Sequence, residues 1–529
     1  MDNANIILGT DIVGFPILSV LTLIPLITMV LVIITSQPGV ALRLGIGGAV
    51  LTLLFSLYML NTFDPAQVVG IQFYEKYQLS GLTYSVGVDG TSILFVVVTA
   101  VLAVLAMIYT LTTRRVSDKI HIACMLGYQG ILIGAFTAMN AMQFWFWCFL
   151  ELIPVVLMTL RAGSGQNRRW VVALLLQHWG SGLFMVLAGF LMLGFGIMIT
   201  TDVLSFDWLV LKENDVKLEY ATLIFFLLFF GFAIRMPLFP FHGWLPVLAE
   251  QGTVASVSIF LVSLKLGIYG AMRFLIPLLP EVAEQWTWFV TTLGLIGIFY
   301  GALLALMQIN IRRLLAFAII SQTGLLVIGL FDFNKHGMEG SILLSVTYGL
   351  AAAGMFLSLG MIYKRTHTAY IPRLGGMYDV NAAIAVLFVV SALSTMVMPG
   401  TPGFDGIHLL LEGTVKSQGW LVSIAILIGN VLTVGLLLRA FQQIFITSPK
   451  RYQGPFKFKK YGSTQPSLRN EWIIAIAICG ILITAGVHTS PWLDIIDQNI
   501  QVVSDVYTSS EVVQTTETLA VQHVITKDH

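Results

Sequence analysis

Ile234-Arg235-Met236-Pro237-Leu238-Phe239-Pro240 interrupts an apolar run of helical length with two prolines and one arginine. A proline inside a helix removes a backbone hydrogen bond and clashes with the preceding turn. In lipid, a gap in the backbone is tolerated only where protein or a water-filled cavity encloses it. Val397-Met398-Pro399-Gly400-Thr401-Pro402-Gly403 repeats the arrangement, again with two prolines three apart. The two breaks lie five apolar runs apart, so successive five-helix units run in opposite directions. Paired broken helices in matching positions point to an inverted-repeat transporter with its ion path near the midplane. The alternative is coincidence, since proline is common in membrane helices.

Composition places both breaks in a membrane. Of 529 residues, 57% are hydrophobic and 10% charged, where a soluble domain carries about 25% charged residues. A net charge of +1 gives no reason to expect nucleic acid. A span needs about 20 apolar residues. That rule yields about fourteen spans, near 12–34, 42–60, 91–112, 120–138, 142–160, 171–197, 220–248, 254–278, 286–307, 314–331, 340–363, 380–411, 419–446 and 472–488. The expected fold is an all-α polytopic membrane protein with two inverted five-helix repeats and two broken helices. Its expected divisions are 1–119 (helices 1–3), 120–278 (first repeat), 286–447 (second repeat) and 448–529 (a cytoplasmic loop, helix 14 and a polar tail). Segment 61–88 is too polar to span, and 490–529 reads as an extramembrane tail. The amino terminus lacks a basic signal-peptide region, so the first apolar run is expected to stay as a helix.

Loop charges set the orientation. The connections after spans one, three, five, nine, eleven and thirteen hold about eighteen lysines and arginines, among them Arg114, Arg115, Arg168, Arg169, Arg312, Arg313, Lys364 and Arg365. The opposite connections hold about five: Lys76, Lys212, Lys217, Lys335 and Lys416. The basic set is therefore cytoplasmic, and both termini lie on the other face.

A charge at the membrane centre costs roughly 2.5–3.5 kcal/mol on insertion scales and survives beside a cavity or a partner. Glu151 lies among Phe144-Trp145-Phe146-Trp147-Cys148-Phe149-Leu150, three residues before Pro154. Apolar burial favours a neutral acid and a nearby cation favours a carboxylate, so moving the cation switches such a group. The competing reading is a structural ion pair, which is costly in lipid. Lys265 is mid-span, beyond snorkelling reach of either end, and a buried lysine can exchange protons near neutral pH. Arg235 does not deprotonate, so it reads as a fixed charge partnering Glu151. His242, beside the first break, either passes protons or bonds a freed carbonyl. His178, in the sixth span, reads the same way, with packing favoured. His408 and Glu412 follow the second break. Glu412 and Lys416 are four apart and can pair on one helix face, where an interfacial ion pair is the simpler reading.

Cys124, Cys148 and Cys479 have neither disulfide nor metal spacing and read as apolar packing residues. The sequence has no nucleotide-binding loop, metal-ligand cluster, haem or iron–sulfur spacing, or nucleophile elbow. No catalytic, cofactor-binding or metal-binding residue is expected, and redox chemistry belongs to partners.

The order of motifs is itself informative. Val86-Gly87-Val88-Asp89-Gly90, Glu151, Met236-Pro237 with His242-Gly243-Trp244-Leu245-Pro246, Lys265 with Tyr269-Gly270 and Arg273, Ile311-Arg312-Arg313-Leu314-Leu315-Ala316, and Met398-Pro399-Gly400-Thr401-Pro402-Gly403-Phe404 follow one another. Over roughly 85–445 the chain resembles the antiporter-like subunits of respiratory complex I and its photosynthetic relatives. Within them it is most similar to chain 4, the D subunit of NAD(P)H–quinone oxidoreductases. The resemblance implies a proton path through Glu151, position 235, Lys265 and a charged group in the twelfth span. It also implies a thylakoid membrane, other membrane subunits as partners, and plastoquinone, iron–sulfur clusters and ferredoxin or NAD(P)H in those partners. The chain departs from the family in several places: Arg235 stands for the usual lysine, Gln322 and Tyr348 for histidines, Ile407 for an acid, and Val247-Leu248-Ala249-Glu250-Gln251-Gly252-Thr253 for the usual acidic start and later proline after Pro246. These departures resemble the divergent form of carbon dioxide uptake complexes, which implies a carbonic-anhydrase-like partner. The alternatives are a subunit of a multi-part cation/proton antiporter, a scaffold with a degenerate relay, and a small-solute carrier.

Overall fold

Lipid offers the backbone no hydrogen-bond partner, so each apolar run satisfies itself as a helix. The computed structural model describes residues 6–66, 70–79, 82–112, 118–163, 167–213, 220–252, 262–447, 469–497, 499–501, 503–505 and 507. In chain order the helices are α1 (Ile17–Ile34), α2 (Pro38–Thr62), α3 (Gly90–Thr112), α4 (Lys119–Thr137), α5 (Ala141–Leu150), α6 (Leu152–Ala162), α7 (Arg168–Thr201), α8 (Ala221–Arg235), α9 (Trp244–Gln251) and α10 (Lys265–Gly270). There follow α11 (Thr287–Met307), α12 (Ile311–Leu330), α13 (Lys335–Thr366), α14 (Ala382–Thr395), α15 (Pro402–Ser417), α16 (Trp420–Phe441) and α17 (Arg469–Val487).

Eleven spans among the described residues are long and apolar enough to cross a bilayer, with α5 and α6 running together as one. The shorter apolar helices α8 and α14 are the first halves of the two broken spans. Helix α10, continued by the π-helical turn Ala271–Leu275, belongs to span 254–278, of which residues up to 261 lie outside the description. The fourteen expected spans are thus all represented. Helices α4, α12 and α13 are buried almost all round, whereas α1 and α16 bury about a third of their residues. The first group forms the interior of the protein, while the second presents its outer faces to its surroundings.

Both breaks form as the prolines require. In the first, the Met236 amide donates to the Phe232 carbonyl at 2.9 Å and the Leu238 amide to Ala233 at 2.9 Å. In the second, Met396 donates to Ala392 at 2.8 Å and Met398 to Leu393 at 3.1 Å. The same switch from a four-residue to a five-residue reach occurs at 236/238 and at 396/398. Val397 (φ 54°) and Gly400 (φ 84°) carry the second turn in the left-handed region, which Gly400 enters without steric penalty.

The ion pairs sort the loops by face. Lys76 pairs with Asp207 at 2.8 Å, joining the connections after spans two and six. Glu250 pairs with Arg313 at 3.4 Å, joining those after seven and nine. Arg365 meets Glu471 through two bonds of 2.8 Å, joining those after eleven and thirteen. Lys335 pairs with Asp497, joining the connection after ten to the residues after fourteen. Each pair links loops that the lysine and arginine bias had put on one side.

Two features add to the expected helical fold. In one, β1 (Ile6–Leu8), β2 (Ile71–Leu79) and β3 (Leu82–Val88) form a small sheet in that order. Gln72, Glu75, Lys76 and Gln78 make β2 too polar to span, and its backbone pairs with β1 on one side and β3 on the other. Buried Glu75 accepts from the Leu18 amide at 2.7 Å and the Ser19 amide at 3.1 Å, capping the start of α1. Burial raises its carboxyl above the ordinary range, and the hydrogen bonds from Ser19 and Leu18 pull it back. The residues after 489 are likewise no free tail. Residues 490–497 are helical, and Ile496 and Ile500 are buried. Tyr507 stacks on Phe333 at 4.2 Å between ring centroids and donates to the Ile276 carbonyl at 3.1 Å. The apolar residues recur at helical spacing (Trp492, Leu493, Ile496, Ile500), a face that needs a surface to cover it. Residues 508–529 and the basic loop 448–468 lie outside the described residues.

Candidate proton path

Glu151 is fully buried at the junction of α5 and α6. Its Oε1 accepts from the Tyr128 hydroxyl of α4 at 2.7 Å. Its Oε2 accepts from Arg235 Nη2, at the last residue of α8. The same Nη2 donates to Ser263 Oγ at 2.9 Å, two residues before Lys265. Trp179 of α7 lies under the guanidinium, 3.8 Å from its ring centroid. One carboxylate, one guanidinium and two hydroxyls from four spans thus converge beside the first break. Pairing of this kind is what lets two charges remain in a lipid-enclosed interior.

Arg235 has capacity to spare. Its Nε and Nη1 have no hydrogen-bond partner among the described residues. A cavity of about 30 Å³ lies against it, lined mainly by Phe144, Cys148, Trp179, Val186 and Phe232. Its lining is apolar apart from the guanidinium, whereas a bound water needs several polar partners.

Lys265 opens α10 and is 4% exposed. Among the described residues no carboxylate lies within ion-pair distance of it. Close packing sets its place. A Cβ on Gly267 would fall 2.7 Å from both the Phe232 carbonyl oxygen and Met236 Cβ. Only glycine lets α10 lie this near the broken end of α8, bringing Lys265 to the same break as Arg235. Farther out, Arg273 pairs with Asp89 at 2.6 Å, both buried. Burial alone would raise the Asp89 carboxyl, but Arg273 and the bonds from Thr91 and Ser92 hold it below the ordinary range.

The remaining candidates separate. His242 is buried among Phe239, Tyr300 and Phe317, and its Nδ1 has no partner. It sits by the break but does not join the Glu151 group. His178 bonds the Leu174 carbonyl of its own helix through Nδ1 at 2.8 Å and is only half-buried. His408 is exposed on α15, and half-buried Glu412 pairs with exposed Lys416 at 2.8 Å. Neither reaches the interior, because both lie on the outward side of α15 while Ile407 and Leu410 face inward. Around the second break the buried polar residues are uncharged: Ser321, Gln322, Tyr348, Ser391, Ser394 and Thr395. Gln322 Nε2 and the Ser391 and Ser394 hydroxyls have no partner among the described residues. Tyr128, Ser263 and Trp179 were not among the sequence candidates. Polar residues without charge give no signal in a hydropathy profile, and only their convergence on Arg235 and Glu151 marks them.

Residues 138–433 match the family described as "NADH:quinone oxidoreductase/Mrp antiporter, TM". A protein of Rickettsia typhi named NADH-quinone oxidoreductase subunit M is 32% identical over 448 residues, covering 82% of this chain and 88% of its own. NAD(P)H-quinone oxidoreductase chain 4 3 of Trichormus variabilis is 30% identical over 451 residues, covering 82% of each. A chain of the solved respiratory complex I from Thermus thermophilus with bound NADH shares the fold at a TM-score of 0.82 and 24% identity, over 92% of this chain and 99% of that one. The chain belongs to the NADH:quinone oxidoreductase/Mrp antiporter family of transmembrane subunits.

Proposed function

We propose that this chain is a proton-translocating membrane subunit of a complex I-like quinone oxidoreductase. The observation that carries the reading is the buried Glu151–Arg235 pair, held by Tyr128 and Ser263, with Lys265 buried and unpaired by any described carboxylate at the same break. Glu151 and Lys265 are the proton carriers, and Arg235 is the fixed cation that sets the affinity of Glu151. The matched backbone of the two breaks supports two inverted repeats, 120–278 and 286–447, between the amino-terminal helices 1–119 and residues 448–529. The uncharged surroundings of the second break, with Gln322, Tyr348 and Ile407, support the finer reading of a divergent D subunit in a carbon dioxide uptake complex of thylakoids. Plastoquinone, iron–sulfur clusters and ferredoxin or NAD(P)H then belong to partner subunits, one of them carbonic-anhydrase-like.

Moving one proton against 100 mV requires roughly 2.3 kcal/mol, which such partners supply. The chain is therefore expected to copurify from native membranes with redox subunits. Isolation as a lone, active cation/proton exchanger would contradict this reading and favour the antiporter, with which the family description is shared. Recovery of a carbonic-anhydrase-like subunit in the same assembly checks the finer reading.

A further inference from the structure

We infer that Asp332 is the proton-exchanging group at the outer end of the second half, filling the role left open by Ile407. The inference rests on the proton-path reading above. Asp332 lies in the turn between α12 and α13 and is 4% exposed. Among the described residues its carboxylate takes its bonds from the end of the second broken helix. Oδ2 accepts from the Thr414 hydroxyl at 2.7 Å, and Oδ1 from the Ser417 hydroxyl at 2.8 Å and Gln418 Nε2 at 2.7 Å.

Three features suit the site to gain and lose a proton. First, among the described residues no cation pairs with the carboxylate. Of the charged groups on the surrounding elements, Lys335 pairs with Asp497 and Glu339, and Lys416 with Glu412. His336 approaches Glu412 at 3.9 Å, Asp405 bonds Thr489, and His408 is exposed. The carboxylate instead faces the last turn of α15, whose dipole end disfavours an anion. Second, both hydroxyls have another acceptor in reach. Thr414 Oγ1 lies 2.8 Å from the Leu410 carbonyl and Ser417 Oγ 3.2 Å from the Gly413 carbonyl. When the carboxyl takes a proton, either hydroxyl can turn to its own helix and accept from the acid, so both charge states are satisfied. Third, Thr414 is fully buried and Ser417 is exposed. The carboxyl therefore stands one hydroxyl away from water on the face opposite the basic loops. Burial pushes it up to about 7 from 3.8, against the pull of Thr414, Ser417 and Gln418. The stability contributed by its protonated form is thus present below pH 3.8 and lost as pH rises through about 7.

The test measures proton uptake coupled to quinone reduction in vesicles bearing the assembled complex, for Asp332→Asn and Glu151→Gln. Asparagine keeps an acceptor and the tie to α15 but cannot exchange a proton. We expect D332N to lower proton transfer about 100-fold, the scale of a lost proton-transfer group, with normal assembly. An infrared titration of the wild type should show a protonated-carboxyl band that vanishes near pH 7 and is missing in D332N. Loss of uptake in E151Q with D332N unchanged overturns this inference and leaves the proton-path reading intact. Normal uptake in both overturns the two together. Should D332N fail to assemble, Ser417→Ala decides. Removing a donor to the anion must raise the band's midpoint and slow transfer, and an unmoved midpoint overturns the inference.

Discussion

Arg235→Ala is expected to destabilise the protein by about 3–5 kcal/mol, the usual penalty for removing one partner of a buried ion pair. The cause is what the substitution leaves behind. Glu151 is fully buried and accepts only from Tyr128 and Arg235 among the described side chains. Without the guanidinium its charge is stranded in a fully buried site. Replacing both residues, as Arg235→Leu with Glu151→Leu, should recover most of the loss, because no uncompensated charge remains. Arg235→Lys should fall between, since an ammonium cannot reproduce the planar stack on Trp179. Thermal unfolding in detergent checks the order. Equal stability of wild type and R235A would mean that the pair is not buried as described.

Lys265→Met should do the reverse: stability maintained or raised, and proton transfer lowered about 100-fold. Lys265 is nearly as buried as Glu151 but has no described carboxylate beside it, so its charge is a cost of roughly 2.5–3.5 kcal/mol in lipid. A chain under selection for stability alone would carry an apolar residue there. Methionine fills similar space without the charge, and the tight seat of Gly267 against Phe232 is untouched. Thermal unfolding and proton uptake in vesicles, measured on one preparation, separate the two effects. Normal uptake would remove Lys265 from the path.

The sequence made the frame legible because lipid makes few demands and makes them strictly. Apolar runs had to be helices, and paired prolines had to be breaks. A charge at Glu151 or Lys265 had to have a reason. The partnership of Arg235 with Glu151 followed from the need to neutralise both. What stayed hidden was polar without being charged, or charged outside a span. Tyr128 and Ser263 are ordinary residues until folding aims their hydroxyls at one ion pair. Asp332 falls one residue beyond an apolar run, where an aspartate normally meets water. Its burial depends on α15 folding back over the turn, a contact between residues more than eighty positions apart. The strand pair 71–88 and the docked segment after 489 were read as loop and tail because hydropathy measures whether a segment crosses lipid, not what it packs against.

The central claim is that protons cross through the buried carboxylate at the first break. It is tested most directly by the ratio of protons taken up to quinone reduced, in vesicles carrying the assembled complex with Glu151→Gln. Glutamine preserves the acceptor for Tyr128 and nearly the same volume but carries no exchangeable acid. The expected result is quinone reduction by a fully assembled complex with a lowered proton ratio. An unchanged ratio in a complex of normal composition would contradict the claim and leave the chain as a scaffold.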